Sequence, residues 1–227
     1  TKYTAASGIP ELREALSAKL KTDNNLSYDA KDICVTGGAK MACYMAILAM
    51  VEEGDEVIIP APYWVSYPEM VLLAGGVPVV IETTEATGWK MTPEQFEDAM
   101  TPRTKMVIIN SPGNPTGAIY TEEELLALGE VALSEDITIL SDEIYEKLVY
   151  GDAKHVSIAS LSDELYNCTI TVNGFSKGYS MTGWRLGYTA APRALAEAIE
   201  KIQNHTVSNA CSFAQYGALA ALTGDQT

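Results

Sequence analysis

Lys177 closes the stretch Asn173-Gly174-Phe175-Ser176-Lys177, and its neighbours Gly174, Phe175, Gly178 and Tyr179 carry no charge. A lysine that is partly desolvated and near a second cation loses proton affinity and can form a Schiff base. The second cation is Arg185, eight residues on in Met181-Thr182-Gly183-Trp184-Arg185-Leu186-Gly187-Tyr188, and its planar guanidinium suits a bidentate grip on phosphate. Asp142 follows Ile137-Thr138-Ile139-Leu140, a run with the profile of a buried strand, and opens Asp142-Glu143-Ile144-Tyr145. A carboxylate there needs a cationic or hydrogen-bonding partner, because an unpaired buried charge is costly. A helix cap or a structural ion pair would satisfy it equally well.

Three further segments have the same double reading. Gly37-Gly38-Ala39-Lys40 opens an apolar helix; it is either a tight turn or a cradle whose free amides receive a phosphate. Ser111-Pro112-Gly113-Asn114-Pro115-Thr116-Gly117 is stiffened by two prolines and two glycines, and is either a plain rigid loop or a mount for the Asn114 amide. Trp64, in Pro62-Tyr63-Trp64-Val65-Ser66-Tyr67, is either core or a platform for a flat ring. Together these parts fit one chemistry. A phosphate cradle, a buried carboxylate, a stacking aromatic, Asn and Tyr donors and a Schiff-base lysine are what pyridoxal 5'-phosphate requires. The carboxylate keeps the pyridine nitrogen protonated, and the lysine holds the cofactor and then moves the α-proton.

These residues need elements to position them. Apolar, β-rich runs predict strands at 33–36, 56–59, 77–81, 105–110, 138–141 and 169–172. Helical patterns predict helices at 10–21, 39–52, 93–100, 122–134, 192–204 and 208–222. Thr121-Glu122-Glu123-Glu124 and Thr92-Pro93-Glu94-Gln95 are capping boxes at two helix starts. Strands alternating with helices imply a three-layer α/β/α domain with a mainly parallel sheet. In such sheets ligands bind at the carboxyl ends of the strands, where all the residues above fall.

Composition narrows the field. The chain has 227 residues, a formal net charge of −15 and a pI near 4.4, which disfavours nucleic-acid and anionic-membrane partners. The apolar run 41–51 is too short to span a bilayer, and the first residues do not form a signal peptide. Four cysteines without a C-x-x-C pair suit a reducing cytoplasm, and two histidines argue against a histidine-rich metal site. Neither a G-x-x-x-x-G-K-[ST] nor a G-x-G-x-x-G motif is present.

The order and spacing of these segments resemble those of the fold-type I pyridoxal-phosphate enzymes of the class I/II aminotransferases, nearest to the bacterial aspartate aminotransferase group. Markers run along the whole chain, from Tyr3 and Ser7-Gly8-Ile9-Pro10-Glu11-Leu12-Arg13 through Pro62-Tyr63-Trp64-Val65-Ser66-Tyr67-Pro68, Asn114-Pro115-Thr116-Gly117 and Ser141-Asp142-Glu143-Ile144-Tyr145 to Ser176-Lys177 and Gly183-Trp184-Arg185-Leu186-Gly187-Tyr188. The resemblance implies that Lys177 is the Schiff-base lysine and proton-transfer base, with Asp142 the partner of the pyridine nitrogen. Tyr145 and Asn114 are the implied donors to the ring oxygen and Trp64 the stacking ring. Gly38, Ala39, Lys40 and Arg185 are the implied phosphate site. Tyr3 is implied to reach the cofactor phosphate of a neighbouring subunit, which makes a homodimer with shared active sites.

The chain departs from the family pattern at Met41, where Gln is frequent, at Gly174, where Ser or Thr is frequent, and at Tyr67, where some dicarboxylate-specific members have His. The resemblance also makes residues 1–227 the cofactor-binding large domain. It implies that an N-terminal arm and a C-terminal small domain with the substrate-carboxylate arginine lie outside the chain, and that the chain alone is incompetent for turnover. The implied activity is transamination between an L-amino acid, aspartate or a similar one, and a 2-oxo acid in the cytoplasm. The alternatives are a pyridoxal-phosphate C–S lyase using the same lysine, and a non-catalytic aminotransferase-like binding module.

Overall fold

A computed structural model describes residues 2–225. One seven-stranded sheet is formed by β1 (Ile33–Thr36), β2 (Glu56–Ala61), β3 (Val77–Glu82), β4 (Thr104–Asn110), β5 (Thr138–Asp142), β6 (Thr169–Gly174) and β7 (Gly187–Ala190), in the order β1-β7-β6-β5-β4-β2-β3. Strand β7 is antiparallel to both its neighbours, and every other pairing is parallel. The carboxyl ends of β1 to β6 and the start of β7 therefore share one edge of the sheet. Eight helices cover it: α1 (Pro10–Asn24), α2 (Ala39–Met50), α3 (Ser66–Leu73), α4 (Pro93–Ala99), α5 (Glu122–Ser134), α6 (Asp163–Cys168), α7 (Arg193–Thr206) and α8 (Ser212–Thr223).

Alternation along the strands decides which helix meets which side chain. Met106, Ile108, Leu140, Ile170 and Val172 point to the face packed by α2, α3 and α7. Val107, Ile109 and Ile139 point the other way, onto α4, α5 and α6, while Ile33, Val35, Tyr188 and Ala190 meet α1 and α8. Both faces are buried, which explains why the strands read as continuous apolar runs. Leu12, Leu16 and Leu20 recur at helical spacing on α1 and are fully buried, so truncating one to Ala would cost about 2–5 kcal/mol.

The three-layer architecture matches the expectation, with four corrections. Strand β7 and helices α3 and α6 were not foreseen, and α8 starts at Ser212, four residues later than the pattern indicated. Strand β7 is only Gly-Tyr-Thr-Ala, α3 carries Pro68 in its first turn, and α6 has six residues, so none offers a full period of pattern. Both capping boxes form, with each Thr hydroxyl accepting from the third amide while Gln95 or Glu124 reaches back.

The same alternation separates Asp142 from Glu143. Asp142 follows Leu140 onto the α2 face, whereas Glu143 turns beneath the sheet into a polar cluster. There Ser157 Oγ donates to Glu143 Oε2 at 2.6 Å and Ser141 Oγ donates to Oε1 at 2.9 Å. Asn24 Nδ2 lies 3.3 Å from Oε2, and His155 Nε2 lies 3.0 Å from it. Glu146 is held by Asn24 and by the Lys19 ammonium, so this acidic group carries its own cation. Burial pulls the His155 imidazole down, but the hydrogen bond and charge of Glu143, with the charge of Glu146, outweigh it and hold it above its ordinary value. A group raised on folding stabilises the fold below its unfolded pKa of about 6.5 and loses that contribution as pH climbs through the folded value. Denaturant unfolding across this range should therefore show stability falling above about pH 6.5, and His155→Ala should flatten that slope. An unchanged slope in the variant would show that His155 is not its source.

Candidate active site

The strand ends converge on a cleft of about 220 Å³ lined by Ala39, Lys40, Trp64, Tyr67, Asn110, Asn114, Asp142, Ile144, Tyr145, Ser176, Lys177 and Arg185. Asp142 forms its floor at the last residue of β5 and is buried. Its Oδ2 accepts from Tyr67 Oη at 2.7 Å and from Cys43 Sγ at 3.6 Å, and its Oδ1 accepts from the Ile144 amide at 3.2 Å. Burial pushes this carboxyl above the usual carboxylate range, and the donors of Tyr67, Ile144 and Cys43 offset part of that rise. No ion pair to Asp142 forms among the described residues. The ion-pair reading of this residue is therefore replaced, and its bond from the Ile144 amide closes a turn rather than capping a helix, since among the described residues no helix starts there. Asp142 is solvated by neutral donors, which leaves its charge for whatever cation enters the cleft.

The walls come from neighbouring strand ends. Beyond β4, Asn110 Oδ1 accepts from the Asn114 amide at 2.8 Å, and Asn110 Nδ2 donates to the Asp142 carbonyl at 2.8 Å, tying this loop to β5. Beyond β5, a turn closed by the Glu146 amide on the Glu143 carbonyl lifts Tyr145, whose Oη lies 3.3 Å from Asn114 Nδ2. The expected pair of donors is thus brought together. Beyond β6, buried Phe175 anchors between Tyr179 and Tyr188, with ring centroids 5.3 and 6.4 Å away. Two residues later Lys177 enters the cleft with its Nζ 5.5 Å from the Tyr145 ring centre. Trp64 is half-buried and set edge-on to Tyr67, centroids 5.3 Å apart at 89°, so it is a wall of the cleft as well as a core contact. Lys40 places its Nζ 4.9 Å from the Trp64 ring centre.

The anion end is built by close packing. A Cβ on Gly187 would lie 2.3 Å from the Ala39 amide nitrogen, so β7 can run against the start of α2 only because this residue is glycine. Gly38 has φ +96°, and a Cβ there would lie 2.4 Å from Arg185 Nη2. Arg185 itself adopts a left-handed φ of 53°, pinned by Nη1 donating to the Thr182 carbonyl at 2.8 Å and by Ser176 Oγ at 3.4 Å. The first amides of α2, which no helical carbonyl can reach, thus meet a guanidinium and a hydroxyl. This donor set fits pyridoxal phosphate: an anion cradle at one end, a buried carboxylate at the other, and a lysine, two oxygen donors and an aromatic wall between.

Tyr3 stands apart from the cleft, 89% exposed, beside Val207 and Phe213. Tyr67, Asn110, Ser176 and Cys43 were not anticipated as site residues. Local signals existed for Tyr67, one helical turn beyond Trp64, for Ser176, next to Lys177, and for Asn110, at the end of a predicted strand; Cys43 had none.

The model of the family described as aminotransferase class I and II matches residues 1–227. The aspartate aminotransferase of Geobacillus stearothermophilus is 56% identical over 226 residues, covering 100% of this chain and 58% of that protein. The solved aspartate aminotransferase of Rhizobium meliloti superposes with TM-score 0.97 at 43% identity, covering 100% of this chain and 57% of that one. An aromatic aminotransferase of Pyrococcus horikoshii gives TM-score 0.97 at 42% identity, covering 100% and 61%. The chain thus spans somewhat over half the length of the relatives it matches. With cleft, fold and family model in agreement over its whole length, the chain belongs to the class I and II aminotransferases, a family that works with pyridoxal 5'-phosphate.

Proposed function

We propose that residues 1–227 are the cofactor-binding domain of an enzyme that exchanges an amino group between an L-amino acid, aspartate or a close relative, and a 2-oxo acid. The observation that carries this reading is the buried Asp142 carboxylate, held by neutral donors, facing a cleft that also receives Lys177 and Arg185. When bound, pyridoxal phosphate supplies an electron sink for the charge left as the substrate α-proton departs. The reading gives each side chain one task. Asp142 keeps a proton on the ring nitrogen, and Lys177 Nζ holds the cofactor and then carries the α-proton. Tyr145 and Asn114 donate to the ring oxygen, and Trp64 covers one ring face. Arg185, Ser176, Gly38 and the amides of Ala39 and Lys40 bind phosphate.

In a chain of net charge −15, Lys40, Lys177 and Arg185 gather at one cleft, which favours an anionic, phosphate-bearing cofactor. The choice of aspartate is supported by the likeness to aspartate aminotransferases. The same reading makes the protein a homodimer. It is supported by the exposed aromatics Tyr3, Phe213 and Tyr216, which leave an apolar surface for a second copy. A reducing cytoplasm suits its four free cysteines. Among the described residues, no helix is long and apolar enough to cross a membrane.

Borohydride reduction with pyridoxal phosphate, followed by mass spectrometry, should fix the cofactor on Lys177. The Lys177→Ala variant should take up none covalently and, in the full-length enzyme, transfer amino groups at least about 10²-fold more slowly. Single-turnover assays of the full-length enzyme should favour aspartate over phenylalanine. Attachment elsewhere, or none, would remove the assignment of Lys177, and a preference for phenylalanine would remove the dicarboxylate assignment. Light scattering should give twice the chain mass and, in Phe213→Asp, one chain mass; a wild-type monomer at all concentrations would contradict the shared-site arrangement.

A further inference from the structure

Cys43 lies on the buried face of α2 with Ala42, Met45, Ala46 and Ile47. An apolar side chain would suffice for packing there. Instead its Sγ lies 3.6 Å from Asp142 Oδ2, the oxygen that also accepts from Tyr67 Oη at 2.7 Å. Burial, the charge of Asp142 and the hydrogen bond to it all push this thiol well above its ordinary value, so the proton stays on sulfur. Cys43 is therefore a donor and not a nucleophile. The second oxygen of Asp142 is held by the Ile144 amide, so three donors from three segments fix the carboxyl plane.

We infer that Cys43 is a positioning residue for the cofactor ring nitrogen: with Tyr67 it holds the Asp142 carboxylate charged and aimed into the cleft. The inference rests on the pyridoxal-phosphate reading above. A thiol is a weaker donor than a hydroxyl, so the effect is that of one ordinary hydrogen bond, transmitted through Asp142. If Cys43 only fills space, replacing it will disturb any ligand of the cleft alike. If it acts through Asp142, replacing it will disturb only a ligand with a nitrogen facing that carboxylate.

The test compares the affinity of the cofactor-free protein for pyridoxal phosphate with that for the analogue carrying a C–H in place of the ring nitrogen, by absorbance titration. Cys43→Ala, and Cys43→Val, which fills the space without a donor, should weaken pyridoxal phosphate about three- to tenfold and leave the analogue unchanged. Cys43→Ser should restore wild-type affinity. Tyr67→Phe, a second route to the same carboxylate, should show the same selective loss. Equal losses for both ligands, or no loss for either, would overturn the inference. If the wild-type protein bound neither ligand, the cofactor reading would fall, and this inference with it.

Discussion

A carboxylate has been carried out of water at the end of a core strand, and most of the site is arranged around that fact. Asp142 lies on a face otherwise occupied by Leu140, Ile170 and Val172, where an ionised group without partners would cost several kcal/mol. Neutral donors recover only part of that cost, since its carboxyl remains above the usual range. The stored imbalance has a direction: a cation placed in the cleft lowers the energy of Asp142, and the protein gains by binding it. A protonated pyridine nitrogen is such a cation, and fixed protein dipoles then stabilise its charge without reorganising.

The topology explains how one carboxylate can organise residues far apart in sequence. Six parallel strands deliver their carboxyl ends to one edge, and the reversed β7 delivers its start there. The loop after β4 brings Asn114, the turn after β5 brings Tyr145, the bend after β6 brings Lys177, and the approach to β7 brings Arg185. Glycine at 38 and 187 allows α2 and β7 to touch, so the guanidinium and the helix amides face the same anion. Glu143, one residue beyond Asp142, faces the opposite way and fixes the turn from below through Ser141, Ser157, His155 and Asn24. One dipeptide thus supplies a ligand group and its structural anchor.

How much of this could be read beforehand depended on where each signal lay. Lys177, Asp142 and Asn114 could be marked as candidates because each follows a strand pattern, and Arg185 because it is an isolated cation between two glycines; the structure brings all four to one cleft. Strands such as 33–36 and helices such as 122–134 were legible because continuous apolar runs and capping boxes are local. The donors to Asp142 were not. Tyr67 and Cys43 lie 75 and 99 residues from it, and only the packing of α2 and α3 on one face brings them there. The Glu143–His155 pair was hidden for the same reason. Tyr3 reads as a functional residue yet lies exposed in the single chain, so its proposed role requires a second copy.

The most direct test of this account is a carbon NMR titration of the Asp142 carboxyl, with labelled aspartate and Asp142→Asn to assign the signal. Without cofactor, the carboxyl should titrate above the ordinary carboxylate value of about 3.9; with pyridoxal phosphate bound it should fall below that value. An ordinary titration in the cofactor-free protein, or no movement when the cofactor binds, would contradict the claim that a desolvated carboxylate awaits the charge of the ring nitrogen.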